Sequence, residues 1–298
     1  MKINIAEQDI IFLSYDEPNC EKNYVDLVSK CPWAKRVHGV DGSDAAHKAC
    51  AELSETKHFV TVDGDTIIDP KFLNVVLDLD ELGVDDDYQF SWCGNIDING
   101  LKYGNGSLKM WTKDFVANMK THENTDGSDD TQIEFCYFDN YYQLNENYST
   151  SIISSTPHQA WRAGFREGVK MSLDKNVRQA PKDLWWQNYQ RLLVWMTVGM
   201  DNPYGVHAIH GARTGCYLTM CTDWDIGQAN EYRFFEKYWK NELHKDKIPD
   251  FYEDSVALGK KINAEHEIDL PINPLTAEQS KFFKKVYYNT PRIIRKSR

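Results

Sequence analysis

The chain has 298 residues, 41% of them apolar and 13% aromatic, enough to bury a sizeable core in one large domain or one and a half. Mean hydropathy is −0.60, and no apolar run approaches the roughly 18 residues that a membrane span needs. The opening Met1-Lys-Ile-Asn-Ile-Ala-Glu7 is too polar for a secretory leader, so a soluble, cytoplasmic protein with no membrane partner is expected.

Seven cysteines without a C-x-x-C spacing argue against a zinc knuckle and for reduced, mostly buried thiols. The net charge of −11 is uneven: residues 1–150 hold 12 Lys+Arg against 28 Asp+Glu, and residues 151–298 hold 22 against 17, giving −16 and +5. Residues 281–298 carry seven cations and no acid. Such asymmetry marks a polyanion-facing surface or a solvated, fraying tail.

In chain order, Asp9-Ile-Ile-Phe-Leu-Ser14 reads as a buried strand, 23–29 as a helix and 36–40 as a second strand. Residues 44–55 form a helical pattern with Ala45, Ala49 and Leu53 on one face and Asp44 as its N-cap. The β-branched run His58-Phe-Val-Thr-Val62 is a third strand and stops at Asp63-Gly-Asp65. Strand–helix–strand–helix–strand predicts parallel pairing with right-handed crossovers and a ligand crevice at the carboxyl ends of the strands. Asp16, Glu17, Asp41 and Asp63 all follow strand ends and are expected at one rim. Further on, 88–93 and 100–111 read as strands broken by glycine, 121–130 as a polar loop and 134–142 as an aromatic strand. Helices are expected over 159–173, with Pro157 in the first turn, and over 184–198. The expected fold is α/β: a Rossmann-type half with a mixed sheet over 1–150, then a largely helical, basic region over 151–298, packed as one domain.

The chemistry lies in the D-x-D. A departing diphosphate is neutralised by a divalent cation, and a hard cation wants a few carboxylate oxygens at a rigid place beside the crevice. Gly64 lets the backbone turn and approach closely. Asp78-Leu-Asp80, Asp85-Asp-Asp87 and Asp223-Trp-Asp225 show that the triplet alone is common; the strand ending at Asp63 separates this one from the rest. An EF-hand is excluded by the missing Gly and Glu at loop positions 6 and 12.

With Ile10-Ile-Phe-Leu-Ser-Tyr-Asp-Glu17, Val62-Asp-Gly-Asp-Thr66 and Tyr103-Gly-Asn-Gly-Ser-Leu-Lys-Met-Trp111, residues 10–115 resemble the nucleotide-sugar half of GT-A-fold glycosyltransferases. The resemblance implies that Ser14, Tyr15, Asp16 and Glu17 lie near the nucleoside, and Asp63, Gly64 and Asp65 near a Mn²⁺ or Mg²⁺ ion and the ribose. It places Gly104, Asn105, Gly106 and Ser107 along the sugar pocket. His47 or Lys48 is placed to reach the base or phosphates, and a late histidine to complete the metal site: His158, His207 or His210, with His158 and His210 ranked first.

The segment Thr156-Pro-His-Gln-Ala-Trp-Arg-Ala-Gly-Phe-Arg-Glu-Gly-Val-Lys170 is similar to phage glycosyltransferases that modify hydroxymethylcytosine in DNA, some with arabinose. Arg162 and Arg166 share a helix face that Lys170 extends, and cations in line suit the phosphates of a donor or of DNA; Glu167 and Asp174 offer the alternative of a balanced, solvated face. An inverting reaction needs a carboxylate base, for which Glu167 and Asp201 are candidates.

The expected activity is metal-dependent transfer of arabinose or glucose from a UDP-sugar to a hydroxyl. The favoured acceptor is a 5-hydroxymethylpyrimidine in phage DNA, its flipped base stacked on Trp161, Trp185 or Trp186. A glycan, lipid-linked sugar or protein acceptor is the alternative. A nucleotidyltransferase or a non-catalytic binder of nucleotide sugars is the alternative from another class.

Overall fold

The apolar run at residues 9–14 becomes a central strand because both of its faces are covered. In the computed structural model, which describes residues 1–104, 106–119, 139–174, 177–244, 250–266 and 270–287, Ile10, Ile11 and Phe12 are all fully buried. The chain falls into two units, Met1–Asp97 with Lys102–Ser155, and Ile98–Leu101 with Thr156–Arg298.

The first unit holds strands β1 (Lys2–Asn4), β2 (Asp9–Ser14), β3 (Lys35–His38), β4 (His58–Asp63), β5 (Thr66–Ile68), β6 (Val76–Asp78), β7 (Gln89–Ile96), β8 (Lys102–Tyr103), β9 (Leu108–Thr112) and β10 (Tyr141–Ser151). Its helices are α1 (Cys20–Lys30), α2 (Ser43–Leu53), α3 (Leu79–Leu82) and α4 (Lys113–Asn118). The main sheet runs β3-β2-β4-β9-β7-β10-β5, with β8 on β7. β3, β2 and β4 are parallel, β9 is antiparallel to both β4 and β7, and β10 returns parallel to β7. This is the α/β class with a mixed sheet that the sequence predicts.

Alternation sorts the side chains onto the two faces. Ile10, Phe12, Val60, Val62, Leu108 and Met110 join a core with Leu27 and Phe72. Ile11, Phe59 and Trp111 join another with Cys50, Ala51 and Val116. The N-terminal strand β1 pairs only with β6, in a separate two-stranded ribbon.

Several local expectations change. Asp44 is not the N-cap of α2; Gly42 is, at φ 95° and without a side-chain cap bond, and Asp44 is buried in the first turn. The stretch 100–111 breaks into β8 and β9 with Gly106 at φ 80° between them. The loop expected at 121–130 and most of the strand expected at 134–142 lie outside the described residues; Tyr141 and Tyr142 open β10.

The second unit is helical: α5 (Pro157–Lys170), α6 (Trp186–Trp195), α7 (Gly205–Cys221), α8 (Tyr232–Lys237), α9 (Phe251–His266) and α10 (Ala277–Tyr287), with a small ribbon of β11 (Leu173–Asp174) and β12 (Val177–Arg178). Thr156 caps α5 by accepting from the Gln159 amide at 3.1 Å, and Pro157 occupies its first turn as expected.

Glycine sets the contact between α5 and α7. A Cβ at Gly164 or Gly168 would lie 2.0 or 2.2 Å from the carbonyl oxygens of Ala208 or Ala212, and one at Gly211 or Gly215 the same 2.0 or 2.2 Å from those of Trp161 or Phe165. The two backbones therefore touch through paired i, i+4 glycines. Arg213, wholly buried, ties the surrounding chain by donating to the carbonyls of Met196, Ser255, Ile272 and Pro271 at 2.6–3.0 Å. Burial lowers its guanidinium to about 10, so it remains charged at neutral pH.

Among the described residues no helix is long and apolar enough to cross a membrane. Six of the seven cysteines are described and all six are free, as the reduced-thiol reading expects; Cys136 lies outside.

Candidate active site

Asp63 is the last residue of β4 and pairs in register with Leu13 near the end of β2. The turn after it is fixed from several directions. The Asp63 amide donates to the Ser107 carbonyl at 3.1 Å, and the Ile152 amide donates to the Asp65 carbonyl at 2.7 Å. Asn23, buried on α1, donates to the Gly64 carbonyl at 3.1 Å. Gly64 is required by close approach: a Cβ there would lie 2.4 Å from Glu17 Oε2 and 2.9 Å from Ser14 Cβ. Glu17 is itself held by the Tyr15 amide, which donates to Oε2 at 2.9 Å. Glu17 thus packs on the residue between the two aspartates, and three carboxylates sit at the carboxyl ends of adjacent parallel strands. Asp16 and Tyr15 are exposed on the same loop.

The Asp63 charge is felt on the α2 face of the sheet. Burial, and then that carboxylate, push the Cys50 thiol up to about 12. Lys109 on β9 pairs in register with Thr61, two residues before Asp63. It is buried, its ammonium donates to the Gly106 carbonyl, and it lies 5.6 Å from the Trp111 ring centre. The sequence reading missed this lysine, although a single cation inside Leu108-Lys-Met-Trp-Thr112 was the available signal.

On the other face, Arg36 Nε donates to Ser14 Oγ at 3.1 Å, and Ser14 Oγ lies 3.0 Å from His38 Nδ1. Arg36 Nη2 also reaches His38 Nδ1 at 3.1 Å. An arginine only donates, so His38 Nδ1 is the acceptor and its proton sits on Nε2. Arg36 forks onto Glu21 at 3.0 and 2.6 Å, a bond that raises the guanidinium further and holds the Glu21 carboxyl below its usual range. Cys20, Glu21 and His38 form the only group of three metal-ligand atoms within 4.8 Å among the described residues. The arginine already occupies that group as its cation.

The remaining candidates are placed as follows. His47 is buried, donates from Nδ1 to the Ser43 carbonyl at 2.8 Å and packs edge-on against Trp111. Lys48 is half-buried on α2. Gly104 packs on Gln143, Gly106 on Lys109, and Ser107 lies 3.3 Å from Ser149 Oγ. Asn105 lies outside the described residues.

His158, His207 and His210 all belong to the second unit. His158 packs among Trp161, Trp239 and Glu236. His210 is 3% exposed, accepts the Trp161 indole N–H on Nδ1 at 3.2 Å and meets Phe251 edge-on. Trp161 is fully buried and no base can stack on it, whereas Trp185 and Trp186 are exposed. Glu167 pairs with Lys170 at 3.7 Å and Asp201 with Lys284 at 2.7 Å, so both candidate bases already hold a lysine.

No family model matches the chain, and no curated protein does. Among solved structures it is similar to a glycosyltransferase involved in the glycosylation of the major capsid of PBCV-1, at 13% identity and a TM-score of 0.30, over 50% of this chain and 94% of that one. It is also similar to HddC from Yersinia pseudotuberculosis, at 14% identity and a TM-score of 0.29, over 49% and 74%. At that depth the chemistry has to be read from the residues themselves.

Proposed function

We propose that the chain is a metal-dependent glycosyltransferase whose Asp63-Gly64-Asp65 turn receives the diphosphate of a nucleotide sugar, UDP-linked in the favoured reading. The observation that supports this is the place of the turn: Asp63 ends β4 beside β2, and Glu17 packs on Gly64 between the two aspartates.

The residue types fit a hard divalent cation, although the oxygens of Glu17, Asp63 and Asp65 do not all lie within 4.8 Å of one another. Mg²⁺ and Mn²⁺ take carboxylate oxygens, and Mg²⁺ in nucleotide sites is commonly held by one or two carboxylates plus substrate phosphates. Asp63 and Asp65 would hold the ion, with Glu17 beside them. When bound, it offsets the charge developing on the departing diphosphate. The chain's own part is to keep the turn rigid through Asn23 and the Ser107 carbonyl, and to supply the buried Lys109 ammonium on the face that carries Asp63. A 5-hydroxymethylpyrimidine in DNA is the favoured acceptor, supported by the +5 charge of residues 151–298 against −16 in 1–150 and by the exposed Trp185 and Trp186.

Donor turnover tests the reading. UDP-, GDP- and CMP-sugars are incubated with Mn²⁺ or Mg²⁺, with and without hydroxymethylated DNA. Metal-dependent release from one donor is expected, falling at least 100-fold in Asp65→Ala, with DNA converting hydrolysis into transfer. Absence of metal-dependent release from every donor sinks the proposal; transfer only to a glycan or protein moves it to the other acceptor class.

A further inference from the structure

Two guanidinium groups stand side by side on α5 with no carboxylate between them. Arg162 and Arg166 are one helical turn apart and share a face, where like charges repel. Both lean on one ring, that of Tyr232 at the start of α8, with guanidinium carbons 4.7 and 5.9 Å from its centre. Tyr232 is 47% exposed. Among the described residues neither arginine makes an ion pair, and the carboxylates of these helices are engaged elsewhere: Glu167 with Lys170, and Glu236 with Lys240 and His158. Lys170 therefore drops out of the row of cations that the sequence suggests.

The ring holds both cations by its π face, which orders two forks whose mutual repulsion an anion would relieve. Paired guanidinium forks match the oxygens of a phosphate, and an isolated carboxylate needs only one. We propose that Arg162, Arg166 and Tyr232 form a phosphate-binding site on the second unit. The site goes beyond the metal-turn reading and stands without it, since it needs neither a cation nor a sugar. The phosphate is that of a free nucleotide or of a nucleic-acid backbone.

The test is direct binding to the full chain in EDTA, with three probes: UDP, inorganic pyrophosphate and a fluorescent 20-base-pair DNA duplex titrated over salt. In Arg162→Gln/Arg166→Gln at least one probe is expected to weaken tenfold or more, while Lys240→Gln changes none. If the source is nucleic acid, duplex affinity falls and the slope of log K against log salt drops by about 0.9, the share of one lost phosphate contact. If it is a nucleotide, UDP and pyrophosphate weaken and the duplex does not. Wild-type binding of all three probes by a double variant that melts like the wild type overturns the site, as does a wild type that binds none. Should the glutamine pair melt early, Arg162→Lys/Arg166→Lys is read instead. A several-fold loss with an unchanged salt slope then supports the site, and unchanged affinity for all three overturns it. Because no donor sugar or metal is present, failure of the Asp65→Ala turnover assay leaves this result standing.

Discussion

At the scale of single residues, Gly64 decides whether the Asp63–Asp65 turn can keep its shape. Any side chain there collides with Ser14 Cβ and with the Glu17 carboxylate. Glu17 can swing aside, but doing so moves one of the three carboxylates. Gly64→Ala is therefore expected to abolish metal-dependent donor release while costing only about 1–3 kcal/mol of stability. A urea melt beside the turnover assay checks both halves; retained turnover would show that Glu17 and the turn are independent. Arg36 works at the same scale. Its bonds to Ser14 and His38 present the His38 Nε2–H at the exposed end of β3 as a fixed donor.

At the scale of elements, the α5–α7 contact depends on atoms that are missing. Gly164, Gly168, Gly211 and Gly215 bring carbonyl oxygens to within about 2 Å of where each Cβ would be, and those oxygens are backbone, which cannot swing away. Gly164→Ala is expected to cost about 3 kcal/mol or more, the upper range for overpacking. Gly83→Ala, where nothing lies within 4 Å but φ is +69°, is expected to cost less, about 1 kcal/mol from backbone strain alone. Chemical denaturation of the pair checks the order; equal losses would mean that the helices can separate cheaply.

At the scale of the whole molecule, acidification acts on the second unit. Burial lowers His207 to about 4 and His210 to about 3 from an ordinary 6.5. Both are neutral when folded and become protonated on unfolding below pH 6.5. The unfolded chain then binds more protons, so stability falls as pH falls. The loss begins near pH 6.5 and ends near 4 for His207 and near 3 for His210. A melting temperature that declines over this window is expected, flattened in His210→Gln, which keeps an acceptor for the Trp161 indole but does not titrate. An unchanged profile in that variant would assign the acid loss to other groups. The molecule's charge is also more structured than a basic tail suggests: Lys284 lies on α10, pairs with Asp201 and donates to the Ile98 carbonyl at 3.1 Å.

Local pattern along the chain settles what a few neighbouring residues control. The run 58–62 had to be a strand, because Phe59 and the β-branched Val60, Thr61 and Val62 follow one another there, and so Asp63-Gly-Asp65 had to fall at a strand end. The glycines of 164–168 and 211–215 were visible as i, i+4 pairs, yet nothing local named their partners. Tertiary structure decided the environments. A histidine beside Gly211 reads equally well as ligand or as core until Trp161 is seen to donate to it, and Arg213 reads as a surface cation until four carbonyls close on it. The same holds for Glu17: its distance from Gly64 is a contact across 47 residues, set by the pairing of β2 with β4 and not by any neighbour in the chain. Period and propensity act over a few residues, whereas burial and long-range partners set what a polar side chain can do.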